Sequence, residues 1–268
     1  MKVVILNRIY IREHLILNLN SNIEKNNKEI TLSVIPEDLR IFGYLFFWII
    51  ILIGGFLTFN YTDLDLNDNP LIHMYGYNNI CILFDSYPST FILPILWIIN
   101  FLILMSYTVL SWIRVYKLFI TGSYPNLYYY VFSFSSLIEI IGICFFISIF
   151  TIDPYENMFL HTIPFTVLVF SLSLMGVKNY IFYKFIANIT FFEHLCGLLY
   201  LCIHITVSLA KITMQINGIY DDLLYTTLDY SILNQFVDRV WMITAAILPV
   251  FISIRFRKRV PTVQFKIN

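Results

Sequence analysis

The chain has 268 residues, of which 59% are hydrophobic and only 13% charged, and its mean hydropathy is +0.75. Soluble domains carry about a quarter charged residues, so this composition excludes a water-soluble globular protein and surrounds most side chains with lipid or protein. The formal net charge of +0 gives no basic surface for a nucleic acid, and the four cysteines (Cys81, Cys144, Cys196, Cys202) are too few for a secreted disulfide scaffold.

Residues 1–40 read as a polar N-terminal extension. Lys2, Arg8 and Arg12 precede the first acid, Glu13, but Glu24 and Glu29 soon follow and no stretch is apolar enough for a signal-peptide core. A cleavable presequence is therefore not expected. Pro36 followed by Glu37 and Asp38 has the form of a helix start, with acids in the first turn.

Apolar runs follow near 41–59, 89–113, 126–151, 159–177, 187–211 and 235–254. A spanning helix needs about 20 residues, and the fourth run is close to the lower limit. Backbone groups in hydrocarbon must be satisfied within a segment, and no period-2 barrel pattern is present, so the runs are predicted to be helices. The expected architecture is all-α: a polytopic bundle of six spans over residues 41–254, followed by a basic tail at 255–268.

The connections alternate in charge. Loop 60–88 holds Asp63, Asp65, Asp68 and Asp85, the next carries Arg114 and Lys117, and then come Asp153 with Glu156 and Lys178 with Lys184. Loop 212–234 has Asp221, Asp222 and Asp229, and the tail has Arg255, Arg257, Lys258 and Arg259. The positive-inside rule then puts both termini on the inner or matrix side. The sequons at Asn60 and Asn188 abut apolar runs and read as chance matches, and no P-loop, CxxC or HExxH motif occurs.

Ionisable residues inside the runs are the candidate sites. Glu139 lies mid-run, where a bare carboxylate is costly. It should be protonated, hydrogen-bonded across helices, or facing a wet or lipid-filled cleft. Glu193, His194 and His204 fall in the fifth run, and His161 stands at the mouth of the fourth. Two histidines on facing helices could clamp a haem, but no second matching pair is evident and interhelical hydrogen bonding is the simpler role. Asp238 and Arg239 open the last run beside Trp241, as an interface anchor or an ordinary helix start.

Three stretches resemble subunit III of the haem–copper cytochrome c oxidases. Gln235-Phe236-Val237-Asp238-Arg239-Val240-Trp241 is similar to the HFVDVVW signature of that family's last span, with Gln235 and Arg239 as departures. Thr190-Phe191-Phe192 and Cys196-Gly197-Leu198-Leu199-Tyr200 are similar to its TFF and HGLHV elements, with both histidines replaced. Trp112-Ile113-Arg114 resembles the WWRD corner, Val115 standing for its Asp, and Glu139 matches the carboxyl of the family's third helix. The family usually has seven helices, two of them between the Glu-bearing and HGLHV helices, where this sequence has room for one.

The resemblance implies a non-redox subunit of the mitochondrial terminal oxidase, in the inner membrane. Such a chain supports electron transfer from cytochrome c to oxygen, and the coupled proton translocation, by binding lipid and stabilising subunit I. It binds no redox cofactor; haem a and copper belong to partner subunits. Phospholipid, cardiolipin included, is the expected ligand, and subunits I and II, accessory subunits and membrane lipids are the expected partners. On this reading Glu139 lies beside a lipid cleft, and Trp112, Arg114, Gly197, Phe236, Asp238 and Trp241 set helix ends and interfaces. Three alternatives stay open: a lineage-specific structural subunit of another respiratory complex, a small membrane transporter, and a haem-binding membrane reductase.

Overall fold

The computed structural model describes residues 30–154, 156–220 and 228–267, and side chains within 32–265. Most of the extension expected at 1–40, and Asp221 and Asp222, lie outside the described residues. The chain divides into a large unit, Ser33–Gln264, and a small one made of Met1–Leu32 and Phe265–Asn268.

The long helices are α1 (Pro36–Tyr61), α3 (Ser89–Ile120), α4 (Asn126–Phe145, carried on to Phe150 by a 3₁₀ segment), α5 (Met158–Ile186) and α6 (Phe191–Tyr220). The last span is α7 (Leu228–Met242) continued by a π segment, Ile243–Ile247, and α8 (Leu248–Phe256). A short helix α2 (Pro70–Tyr75) and a 3₁₀ turn at Ile80–Leu83 lie in the loop after α1, and strands β1 (Ile30–Val34) and β2 (Val263–Ile267) form a two-stranded sheet.

Six of these helical segments are long and apolar enough to cross a bilayer. Large apolar side chains on them point outward: Leu52 and Phe91 are each 71% exposed. A water-soluble protein does not display so many, whereas lipid accepts them without cost. The chain is a multi-pass membrane protein with a mostly helical fold.

The helices run past the hydropathy boundaries. α1 begins at Pro36, the helix start that Pro36, Glu37 and Asp38 signal in the sequence, ahead of the apolar run at 41. α3 continues through Arg114 to Ile120, and α5 through Lys178 to Ile186, so the fourth span is 29 residues long instead of marginal. Arg114 and Lys178, read from the sequence as loop charges, are buried inside the bundle. Lys117 and Lys184 still stand in the last turns of α3 and α5, and Arg255 in that of α8, so the basic end keeps its character. The basic tail begins within α8 and runs into β2.

α1 packs along α3 and α8, α4 along α5, and α5 along α6. The core centres on aromatic residues, with Trp97 and Phe146 ring centroids 4.6 Å apart and Phe165 and Trp241 5.5 Å apart. Gly142 on α4 lies where any Cβ would run into Ser171 of α5, so the two backbones approach closely there. Pro94 and Pro164 sit inside unbroken helices, while Pro249 follows directly on the π segment of the last span. A proline removes a backbone donor, and the wider π turn accommodates that loss.

Candidate functional site

Charges on these helices are gathered into interhelical pairs. At the basic end, Glu37 in the first turn of α1 meets Arg114 near the end of α3. The contact is bidentate, Nη1 to Oε2 and Nη2 to Oε1, both at 2.7 Å. The Arg114 guanidinium lies 4.3 Å from the Phe182 ring centroid, and the Tyr183 hydroxyl donates to Glu37 at 3.4 Å. Charge, fork geometry and an aromatic face thus converge on one buried cation.

Glu139 is fully buried and faces Lys178 of α5 in an ion pair. Thr108 of α3 donates to Glu139 Oε1 at 2.7 Å, and Lys178 Nζ donates to Ser136 Oγ at 3.0 Å. Three helices are therefore joined through one carboxylate. Of the states expected for Glu139, the structure presents the hydrogen bond across helices, with a cation added. It is not among the residues lining the groove between α5, α6 and α8.

A third pair links Lys211 of α6 to Asp238 of α7, where Tyr77 also donates to the carboxylate. Lys211 Nζ lies 5.0 Å from the Phe165 ring and 5.5 Å from that of Trp241. Trp241 is buried against this pair, whereas Phe236 is exposed and Arg239 reaches back to Gln235 at 3.4 Å. The interface-anchor reading of the Gln235–Trp241 stretch thus divides: Asp238 and Trp241 pack inward and Phe236 faces out.

In the loop after α1, Asp85 is buried, with His161 Nε2 at 3.2 Å. The other ring nitrogen, Nδ1, lies 2.7 Å from the Ile152 carbonyl. Burial pushes the Asp85 carboxyl above its ordinary value, and His161 beside it opposes that shift without cancelling it. Burial likewise pushes the Cys81 thiol up to about 12.

Glu193 is a helix cap. The Glu193 amide donates to Thr190 Oγ1 at 3.2 Å and the Thr190 amide donates to Glu193 Oε2 at 2.9 Å, a reciprocal capping box that starts α6. The same carboxylate receives Arg255 at 2.9 Å and Arg259 at 2.5 Å from the end of the last span. Threonine three residues ahead of glutamate, just before an apolar run, is a signal the sequence does carry.

His194 and His204 meet different neighbours. His194 Nδ1 is 2.6 Å from the Tyr180 hydroxyl, while buried His204 stacks on Tyr200 and its Nδ1 lies 3.0 Å from Thr244 in the π segment. Among the described residues no group of three or more His, Cys, Asp or Glu side chains is placed to hold a metal ion. Trp112 donates to Ser133 at 2.9 Å, tying α3 to α4. At Gly197 an added Cβ would lie 2.8 Å from the Tyr180 ring, so glycine is what lets that ring lie against α6.

Comparison with protein-family models, with curated proteins and with solved structures finds no match to this chain.

Proposed function

We propose that the chain is a non-redox membrane subunit of a respiratory complex of the mitochondrial inner membrane, with the terminal cytochrome c oxidase as the specific assignment. One observation carries the reading. The ionisable residues of two of the oxidase-like stretches (Arg114 and Glu139 of one, Asp238 of another) are each paired to an opposite charge on a different helix. Groups committed to such pairs hold helices together and give packing faces to neighbours. The haem a and copper of the oxidase would reside in subunits I and II, with this chain, its accessory partners and bound phospholipid, cardiolipin included, supporting subunit I. The experiment is a mild-detergent native separation of source membranes, with oxidase staining, haem a spectra and mass spectrometry of each band. Stoichiometric co-migration with oxygen-reducing activity supports the assignment, and residence in another complex replaces it with the wider reading of a structural respiratory subunit.

A transporter reading is favoured by one feature, an open recess of about 640 Å³ beside Lys211, Asp238, Arg239 and Tyr77. A chain that migrates alone and moves solute in proteoliposomes would establish that reading instead.

A further inference from the structure

Arg40 is the buried cation at the basic end that has no carboxylate among the described residues. Glu37 is taken by Arg114, Asp38 by Arg257 at 3.0 Å, and Glu193 by Arg255 and Arg259. Arg40 is 1% exposed, and its Nε and Nη1 atoms have no hydrogen-bond partner. The rings of Tyr44 and Tyr107, with centroids 5.8 Å and 5.6 Å from Cζ, offer only weak compensation. A desolvated guanidinium left this way is costly inside a bilayer, and an anion would relieve it.

The space beside it fits an anion of one kind. Arg40 lines a groove of about 350 Å³ between α5, α6 and α8. Its wall on α8 is apolar, from Leu248 through Phe251 and Ile252, and Arg255 and Glu193 stand at its polar end. Leu248 to Arg255 is seven residues of helix, about 10 Å of apolar length. The volume lies at the low end of the roughly 300–1,000 Å³ typical of small-molecule sites, which suits one alkyl chain rather than two. Arg40 lies one turn into α1, and the Leu248–Ile252 wall offers an alkyl tail a surface to lie along.

We propose that this groove binds a single-chain amphiphile with a carboxylate head, a long-chain fatty acid, with the carboxylate on Arg40 and the chain along Leu248, Phe251 and Ile252. The inference stands apart from the oxidase reading. The test uses the full chain in phosphatidylcholine nanodiscs, with stearic acid spin-labelled near its tail and, in parallel, its methyl ester and a spin-labelled phosphatidylglycerol. At a pH where the acid is ionised, the acid should show a saturable, motionally restricted population and the ester should bind about tenfold more weakly or worse. Arg40→Gln should abolish that population and Arg40→Lys retain part of it. Leu248→Trp narrows the groove without touching the guanidinium and should also abolish it, which decides the matter if Arg40→Gln does not fold. Equal restriction of acid and ester, an unchanged signal in Leu248→Trp, or saturation by phosphatidylglycerol but not by the acid would each overturn the proposal.

Discussion

Two buried charges in this molecule are handled in opposite ways. Glu139 stands between α3, α4 and α5 with a cation on one oxygen and a hydroxyl on the other. Arg40 stands beside the groove between α5, α6 and α8, with aromatic rings near it and two nitrogens unmatched. The first arrangement joins helices; the second leaves a cation for the carboxylate proposed above. Sequence position alone does not separate the two, because each is one ionisable residue in or beside an apolar run. The partner on the neighbouring helix separates them.

The largest effects are expected at the paired site. Lys178→Met should strand the Glu139 carboxylate and lower stability by about 3–5 kcal/mol, as should Glu139→Gln for the lysine, read by denaturation in mixed micelles. Glu37→Gln removes a bidentate partner nearer the membrane surface, and a loss of about 2–3 kcal/mol is expected in the same assay, with Arg114 keeping its aromatic face. Gly142→Val tests packing rather than charge: forcing α4 from Ser171 should cost about 2 kcal/mol.

Arg40→Met should behave in the opposite sense. Without ligand, replacing an unmatched guanidinium by an apolar side chain should leave stability unchanged or raise it by about 1 kcal/mol. A loss as large as that of Lys178→Met would mean that Arg40 is a structural cation. The smallest effect is expected at Asp85, whose folded carboxyl lies above its ordinary value of 3.8. A raised acid contributes stability below that value and loses it as pH rises through the folded one. The advantage of Asp85→Asn over the unaltered protein should therefore grow as pH climbs from about 4 and then level off; an advantage that shrinks would contradict the burial.

Much of the fold was legible in the sequence. Run length and apolar content placed six spans, and Pro36 with Glu37 and Asp38 marked the start of the first helix. The helix ends are hidden where a charge interrupts hydropathy. Arg114 and Lys178 look like loop residues because a hydropathy window stops at a cation, yet each continues its helix and is neutralised by an acid far away in the chain. That partner cannot be read from the run itself, although an unexplained Glu139 was reason to seek a cation of similar depth. Lys211, at the end of the fifth run, carries no sign of its pairing, because Asp238 reads as an interface anchor or an ordinary helix start. The capping box of Thr190 and Glu193 was readable but was absorbed into the apolar run. Arg40 could not have been singled out at all, because what distinguishes it is the lack of a partner in three dimensions.

The most direct test of the account is a double-mutant cycle at 139 and 178, comparing Glu139→Gln, Lys178→Met and the pair against the unaltered protein. The two residues are held to act as one unit across α4 and α5, so the double variant should recover part of the single losses, with a coupling energy of about 2 kcal/mol or more. A coupling below about 0.5 kcal/mol, within the range of independent sites, would contradict it.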